Sequence, residues 1–225
     1  MLLNIADVLD AASMAAIHNE IKSGGVVFTD GSATAGWQAK AVKKNEQASG
    51  AALDGIIQTA SNTILTHPLF RAAANPKQLV KVMLSRYKPG MAYGTHVDNA
   101  LMGGIRTDLS FTLFLKEPDT YEGGALVIEG NDGDNEIKLP AGSLVLYPTT
   151  TLHHVSEVTS GERLAIVGWV RSYIRSHEDR ETLFDLENAI SSLRLANVDR
   201  AILDRLLKVK ANLLRGWVED YSFTS

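Results

Sequence analysis

The sequence contains no cysteine, so disulfide bonds, thiolate metal sites and cysteine nucleophiles are all excluded. A metal ion bound to this chain would therefore need nitrogen and oxygen ligands. The chain also lacks an apolar run of the roughly 18 to 20 residues that a membrane span requires. Its first residues have neither the charged nor the apolar region of a signal peptide. These absences predict a cytoplasmic protein with no membrane partner.

An excess of basic residues is also missing. The 225 residues include 22 lysines and arginines against 26 acidic residues, whereas proteins that bind nucleic acid through its phosphates are typically basic. Nucleic acid is therefore not the expected partner, although a local basic groove is compatible with the composition. With 45% hydrophobic residues, the chain is long enough for one full core and a small appendage.

The first third of the chain alternates helical and extended patterns. Apolar residues at helical spacing predict helices over residues 10–21 and 51–65, and residues 34–45 are expected to form an edge strand or a loop. His18 is expected to be structural because it has no ligand partner nearby. His67 precedes a proline at the end of a predicted helix, where a capping or exposed position is expected.

From residue 79 to residue 172, short β-rich segments alternate with turns, and little helix is expected. Residues 108–115 alternate enough to predict a half-buried strand, and the glycine-rich, acidic stretch 130–135 predicts a hairpin. That stretch lacks the twelve-residue ligand pattern of a calcium loop, so no calcium site is expected there. This spacing of strands predicts an antiparallel barrel or jelly roll.

The end of the chain has a different pattern. Apolar residues at helical spacing predict two amphipathic helices, at 181–195 and 198–218, which would form a small C-terminal helical subdomain beginning near His177. The expected fold class is therefore α+β with a mostly β core. Its expected parts are N-terminal helices and flanking strands, a central core and a helical tail, divided as 1–77, 78–176 and 177–225.

His96 and Asp98 are candidate metal ligands because residues i and i+2 of a strand point to the same face. Two histidines and one carboxylate on one face of an iron(II) ion leave three positions open for chemistry, as in non-haem oxygenases. A third ligand could be His153 or His154, which would point to opposite faces of an extended backbone. Arg163 could hold a carboxylate in two hydrogen bonds if a strand brings it back to the metal.

Several segments of the sequence resemble the bacterial PKHD-type hydroxylases, which belong to the prolyl-hydroxylase-like branch of the iron(II)- and 2-oxoglutarate-dependent dioxygenases. The most specific are RY through HVDN, YEGGAL, LPAGSLVLYP and LHHVSEVTSGER, at residues 86–99, 121–126, 139–148 and 152–163. The similarity extends over nearly the whole chain, including the DG and TAGWQ segments near residues 30–38 and the helical tail. It implies a double-stranded β-helix (jelly roll) core.

The resemblance also implies roles for individual residues. It assigns the iron(II) ligands to His96, Asp98 and His153, and not to His154. Arg163 would bind 2-oxoglutarate, and Tyr87 is a candidate for a second contact with this cosubstrate. The sequence departs from the family pattern at Phe114, where prolyl hydroxylases often have a tyrosine near the cosubstrate, so that part of the contact network is expected to differ.

The implied reaction uses 2-oxoglutarate and O2 to hydroxylate an unidentified small-molecule or peptide substrate, with release of succinate and CO2. L-Ascorbate is a candidate reductant, and a homo-oligomer is compatible with the helical tail. Residues 99–107, with Arg106, and residues near His154 are expected to border the substrate side.

Two other functions compete with this interpretation. One is a non-catalytic jelly-roll module that senses iron or a small acid through the same residues. The other is a nucleic-acid demethylase of the same superfamily, which would have a second arginine six residues after Arg163. The chain has Trp169 at that position, which makes the demethylase the weaker alternative.

Overall fold

Two antiparallel sheets form the centre of the structure, a computed structural model that describes residues 1–32 and 40–219. The strands, in chain order, are β1 (Leu3–Ile5), β2 (Val27–Asp30), β3 (Lys43–Lys44), β4 (Glu46–Ser49), β5 (Pro76–Tyr87), β6 (Met91–His96), β7 (Leu101–Met102), β8 (Ile105–Arg106), β9 (Leu109–Phe114), β10 (Tyr121–Gly123), β11 (Leu126–Ile128), β12 (Asn135–Ile137), β13 (Leu144–Pro148), β14 (His153–Gly161) and β15 (Arg163–Ser172). The helices are α1 (Ala11–Lys22), α2 (Leu53–Thr66), α3 (Pro68–Ala74), α4 (His177–Leu195) and α5 (Arg200–Trp217), and Pro118–Thr120 form a 3₁₀ turn.

The larger sheet has seven strands in the order β1-β13-β9-β15-β5-β4-β2, and the smaller has the order β12-β11-β14-β6-β3, with β10 also paired to β14. Neighbouring strands are antiparallel throughout, and β7 and β8 form a separate hairpin. One apolar cluster lies between the two sheets and includes Tyr87, Phe114, Val145, Val155 and Val158. The sheets therefore face each other, as a jelly roll requires.

A second, larger core lies on the outer face of the larger sheet. Residues of α2 and α3, including Ile64 and Phe70, pack there against the sheet residues Leu84 and Phe111. Phe70 meets Phe111 edge to face, with ring centroids 6.1 Å apart. The helices therefore bury one face of this sheet and leave its other face for the interior between the sheets.

Most of the predicted elements are confirmed. The two N-terminal helices correspond to α1 and α2, and the tail helices to α4 and α5. The side chain of Asp10 caps α1 by accepting a hydrogen bond from the Ser13 N–H at 2.8 Å. The predicted hairpin around residues 130–135 is formed by β11 and β12. None of the helices in the described part of the chain is long and apolar enough to cross a membrane.

Two details differ from the sequence-based expectations. No helix was expected at Pro68–Ala74, but Pro68 occupies the first turn of α3, where its missing N–H has no intrahelical partner to lose. The strand predicted at 108–115 is present as β9, but it is not half-buried as predicted, because all six of its residues are buried. Its apolar face contacts the helices, while Ser110 and Thr112 line an internal cavity.

Part of the segment predicted as an edge strand or loop, residues 34–39, lies outside the described residues. Within the rest of that segment, Lys43 and Lys44 form β3 at the edge of the smaller sheet. Strands from residues 1–77 join both sheets, and β5 already begins at Pro76. The division of the chain at residues 77 and 176 stays a prediction.

Candidate metal centre

His96 and Asp98 approach each other at the end of β6. His96 is the last residue of this strand, and His96 Nε2 lies 3.9 Å from Asp98 Oδ1. The prediction that both residues lie on the strand is wrong for Asp98, which belongs to the segment that follows it. Because the chain leaves the sheet after His96, the Asp98 carboxylate approaches the imidazole from the segment that follows the strand.

A second histidine joins this pair from the neighbouring strand. His153 begins β14 and is the register partner of His96, and its Nε2 lies 3.7 Å from Asp98 Oδ2. One potential ligand atom from each of His96, Asp98 and His153 lies within 4.8 Å of the others. His154 lies opposite Val127 of β11 and is not among the residues that line the cavity. The structure thus places His153, and not His154, beside the other two.

Both imidazoles are held in an orientation that suits metal binding. The Nδ1 of His96 lies 2.9 Å from the Gly94 carbonyl oxygen, and the Nδ1 of His153 lies 3.0 Å from that of Thr151. Because a carbonyl can only accept a hydrogen bond, each Nδ1 carries the proton and each Nε2 presents a lone pair. Burial and the nearby His153 imidazole lower the pKa of His96 to about 4, so this ring is neutral at physiological pH.

Side chains around the cluster support these three residues. The hydroxyl of Ser110 donates a hydrogen bond of 2.6 Å to Asp98 Oδ2. The Tyr93 ring stacks on His96 with a centroid distance of 3.7 Å, and Tyr147 meets the edge of His153 at 5.1 Å. Contacts of this kind fix the direction of metal ligands. Sequence reasoning missed all three supporting residues, because only the paired strands bring them to the site.

Arg163 enters the same cavity from the larger sheet. It begins β15 opposite Tyr87 of β5 and is 1% exposed. Its Nε, Nη1 and Nη2 have no hydrogen-bond partner among the described residues. Instead the guanidinium lies 5.1 Å from the centre of the Tyr87 ring and 5.5 Å from that of Phe114. A buried charge without a partner is costly, so this group is ready to receive an anion.

Two phenols lie near this guanidinium. Burial raises the pKa of Tyr87 and also that of Tyr121, and the Arg163 charge offsets each rise only in part. Both groups therefore stay protonated and can donate hydrogen bonds. The hydroxyl of Tyr121 is buried and has no partner among the described residues. Phe114 has no hydroxyl to contribute, and sequence reasoning did not identify Tyr121 as a neighbour of Arg163.

A cavity of about 230 Å³ connects the histidine cluster with Arg163 and Tyr87. The turn before and within the β7–β8 hairpin borders it through Asn99, Met102 and Gly103, as expected for this segment. The expectation that Arg106 borders the substrate side is wrong. Its guanidinium instead bonds Asp108 at 2.7 Å and Glu219 at 2.6 Å. Arg106 therefore ties the hairpin to the segment that follows α5.

The other histidines lie away from this cluster. His18 is on α1 and His67 lies between α2 and α3. His177 begins α4, where its Nε2 is 3.0 Å from the terminal amino group of Met1. None of them is grouped with the His96 cluster.

A buried face with two histidines and one carboxylate, combined with an internal arginine between the sheets of a jelly roll, defines an iron(II)- and 2-oxoglutarate-dependent dioxygenase. Comparison with known proteins agrees with this class. Residues 82–171 match the 2OG-Fe(II) oxygenase superfamily, and residues 178–219 match the PKHD-type hydroxylase C-terminal domain.

The chain belongs to the PKHD-type hydroxylases. It is 48% identical to a PKHD-type hydroxylase of Maricaulis maris and 50% identical to one of Parvibaculum lavamentivorans. Each alignment covers 98% of this chain and all of the relative. The family identified by resemblance from the sequence is therefore confirmed, and with it the requirement for Fe(II) and 2-oxoglutarate.

Solved structures confirm the predicted fold. A prolyl-4-hydroxylase of Pseudomonas putida is 20% identical, with a TM-score of 0.52, over 76% of this chain and 92% of its own. A prolyl hydroxylase of Trichoplax adhaerens, solved with a peptide fragment of the hypoxia-inducible factor oxygen degradation domain, is 16% identical. Its TM-score is 0.57, over 81% of this chain and 86% of its own. At these identities the similarity concerns the fold alone.

Proposed function

We propose that His96, Asp98 and His153 bind Fe(II), and that the protein uses 2-oxoglutarate and O2 to hydroxylate an unidentified substrate with release of succinate and CO2. The observation that carries this proposal is the buried guanidinium of Arg163, which has no hydrogen-bond partner among the described residues and shares one cavity with the three ligands. A cation in that position calls for an anionic ligand next to the metal.

The donor set fits iron(II). Two imidazole nitrogens and one carboxylate oxygen lie within 4.8 Å of one another and would hold the ion while leaving part of its coordination open for other ligands. Each Nε2 is directed toward the other ligands by the backbone carbonyl that its Nδ1 contacts. Ser110 holds one oxygen of Asp98, which leaves the second oxygen available to the metal.

The surroundings of Arg163 fit the distal carboxylate of 2-oxoglutarate. A guanidinium binds a carboxylate through two parallel hydrogen bonds, and all three guanidinium nitrogens are available. Gly124 lets the guanidinium stem pass close to the backbone, since a Cβ at this glycine would lie 3.1 Å from Arg163 Cδ. We assign Tyr87, whose phenol lies in the same cavity, a second contact with this cosubstrate.

When bound, iron and 2-oxoglutarate supply the means of activating O2 for the hydroxylation of a carbon–hydrogen bond. The protein orients these groups and keeps water away from them. Tyr93 and Tyr147 hold the two imidazoles, and Leu126 and Val155 add apolar surface to the cavity wall. Exclusion of water favours oxidation of the substrate over unproductive turnover.

Formation of succinate from 2-oxoglutarate tests the proposal. We expect iron-dependent succinate release by the wild-type protein and none by His96→Ala or Asp98→Ala. His154→Ala is the matched control, because His154 is adjacent to His153 but does not line the cavity. Unchanged turnover after Asp98→Ala would refute the ligand assignment. Iron binding without any succinate release would favour the non-catalytic sensing module.

L-Ascorbate is proposed as a reductant that keeps the iron in its Fe(II) state. The same assay tests this role, because ascorbate should increase the number of turnovers before inactivation without changing the initial rate. An equal number of turnovers with and without ascorbate would refute it. A cytoplasmic location and a homo-oligomeric state stay predictions.

A further inference from the structure

The end of the cavity away from Arg163 contains several hydrogen-bond donors. Ser110, Trp169 and Lys81 are register partners on the adjacent strands β9, β15 and β5, and all three line the cavity. Strands are about 4.8 Å apart, so the backbone of Lys81 lies roughly 10 Å from that of Ser110, the residue that bonds Asp98. Lys81 is exposed and lines the cavity on the side of the proposed metal centre.

A second lysine reaches the same place from the smaller sheet. Lys43 on β3 is the register partner of Tyr93, and its Nζ lies 5.3 Å from the centre of the Tyr93 ring. That ring in turn stacks on His96. Burial and the positive charge of Lys81 lower the pKa of Lys43 to about 8, although Asp98 and Asp30 act in the opposite direction. The two ammonium groups are therefore near enough to repel each other.

Two neutral donors accompany the lysines. Gln47 is 7% exposed, and its Nε2 has no hydrogen-bond partner among the described residues. The indole Nε1 of Trp169 is also buried and is likewise without a partner there. Both residues line the cavity, and buried donors without acceptors are unfavourable. Gln47 pairs with Ser85, which is two residues from Tyr87 and four from Lys81 along β5, so it lies nearer the Arg163 end. We call Lys43, Lys81 and Trp169 the donor end of the cavity.

The two lysines make one side of the cavity positive. Among the described residues that line it, Asp98 is the only acidic one. In the proposed complex, the two positive charges of iron and the one of Arg163 balance Asp98 and the two carboxylates of 2-oxoglutarate. The metal centre and its cosubstrate thus form a neutral unit. Asp30 offsets part of the charge of Lys43, and Lys81 is exposed, so the two lysines add a partly screened positive field beside that unit.

We propose that the substrate carries a carboxylate or phosphate that binds at the donor end, beside the metal and opposite the 2-oxoglutarate site. This inference rests on the proposed function, because it takes the metal and 2-oxoglutarate positions from it. The cavity of about 230 Å³ includes both the 2-oxoglutarate site and the donor end, so only a small acid or a single acidic side chain would fit beside the metal. The flat indole of Trp169 offers a surface for an apolar part of the same molecule.

Three small probes can test the proposal without knowledge of the natural substrate. Hippurate combines an aromatic ring with a carboxylate, hippuramide is its neutral amide, and phenyl phosphate carries a phosphate. Their binding is measured by calorimetry on protein loaded with Mn(II) and saturating 2-oxoglutarate, so that the anions cannot occupy Arg163. At least one anionic probe should bind about ten times more tightly than hippuramide. Which probe binds more tightly tells whether the donor end suits a carboxylate or a phosphate.

Lysine variants locate the preference. Lys43→Gln and Lys81→Gln should each reduce the preference for the anionic probe, and the double variant should abolish it. Lys44→Gln is the matched control, because Lys44 follows Lys43 on β3 but is exposed and does not line the cavity. If a variant fails to fold, the wild-type protein still gives an answer. Its preference should fall several-fold between low and physiological salt.

Three results would overturn the proposal: equal binding of hippurate, phenyl phosphate and hippuramide, no binding of either anion, or a preference that survives in the double variant. The preceding 2-oxoglutarate titration separates this failure from that of the proposed function. A protein that does not bind 2-oxoglutarate refutes the proposed function itself. A protein that binds it but shows no preference for anions refutes only the donor end as an anion site.

Discussion

Replacing Arg163 by methionine should raise the free energy of unfolding of the protein without cosubstrate. The same substitution should remove most of its ability to bind 2-oxoglutarate. The guanidinium is 1% exposed and has no hydrogen-bond partner among the described residues. Replacement of buried charged groups by apolar side chains of similar volume is often stabilising, by about 1 to 4 kcal/mol. Near the Tyr87 and Phe114 rings, a methionine would pack against apolar surface and remove the desolvation cost.

The same substitution should remove most of the affinity for 2-oxoglutarate. Loss of one partner of a buried charge pair costs about 2 to 5 kcal/mol, which corresponds to a rise in Kd of roughly 30-fold or more. In the wild-type protein, 2-oxoglutarate at 100 times its Kd should stabilise the fold by about 2.7 kcal/mol. For a chain of this size, that is a rise in Tm of roughly 5 to 11 °C.

Thermal unfolding of Arg163→Met and wild type, with and without 2-oxoglutarate, checks both effects. The variant should melt at a higher temperature than wild type when neither contains cosubstrate, and added 2-oxoglutarate should not raise its Tm. Arg86→Met is the control, because Arg86 is bonded to Glu46 at 2.6 Å and lies outside the cavity. It should lose up to about 1 kcal/mol and keep its cosubstrate response. A strongly destabilised Arg163→Met protein would refute the reasoning and give Arg163 a structural role.

Three further predictions follow from single contacts. Ser110→Ala should weaken metal affinity by about 10- to 100-fold, measured by competition with a chelator, because Asp98 loses the 2.6 Å hydrogen bond that orients it. Gly168→Ala should destabilise the fold by about 1 to 3 kcal/mol, measured by denaturant unfolding, because its Cβ would lie 2.5 Å from Phe111 Cζ. The preference for hippurate over hippuramide should decline as the pH rises through about 8, since Lys43 then loses its charge.

Each of these predictions has a defined contrary outcome. Unchanged metal affinity in Ser110→Ala would show that Asp98 is positioned without the hydroxyl. Gly55→Ala is the control for the glycine substitution, because Gly55 lies in α2 with open space around its Cβ position. It should stabilise the protein by about 0.5 to 1 kcal/mol. A preference for hippurate that is constant from pH 7 to pH 9 would exclude Lys43 as its source.

The order of elements could be predicted because it depends on local patterns. The helices α1, α2, α4 and α5 and the long strands follow apolar periodicity and the position of turns. Pro68 shows where this reasoning fails, because a proline both ends one helix and begins the next. In β9, the alternation of polar and apolar residues is real, but the polar face with Ser110 and Thr112 is turned toward an internal cavity instead of water. Sequence alone does not distinguish these two environments.

The residues of the site were predictable to different degrees. His96 and Asp98 are neighbours in the sequence, so their proximity needed only a short-range argument. The choice of His153 over His154, and the nearness of Arg163 to Tyr87, could be inferred only from the family resemblance, since each depends on how β14 and β15 pair with distant strands. Sheet register decides both, because a shift of one residue would reverse the direction of every side chain.

The donor end lay beyond any inference from the sequence for a related reason. Lys43 and Lys81 lie on different sheets, and each faces the cavity only because β3 pairs with β6 and β5 with β15. From the sequence alone, Lys43 and Lys81 look like ordinary surface lysines. Burial separates Lys43 from such a surface, whereas Lys81 is exposed and differs only in lining the cavity. The groups proposed to bind the substrate are therefore set by the pairing of strands, whereas the groups proposed to bind iron are partly visible in the sequence.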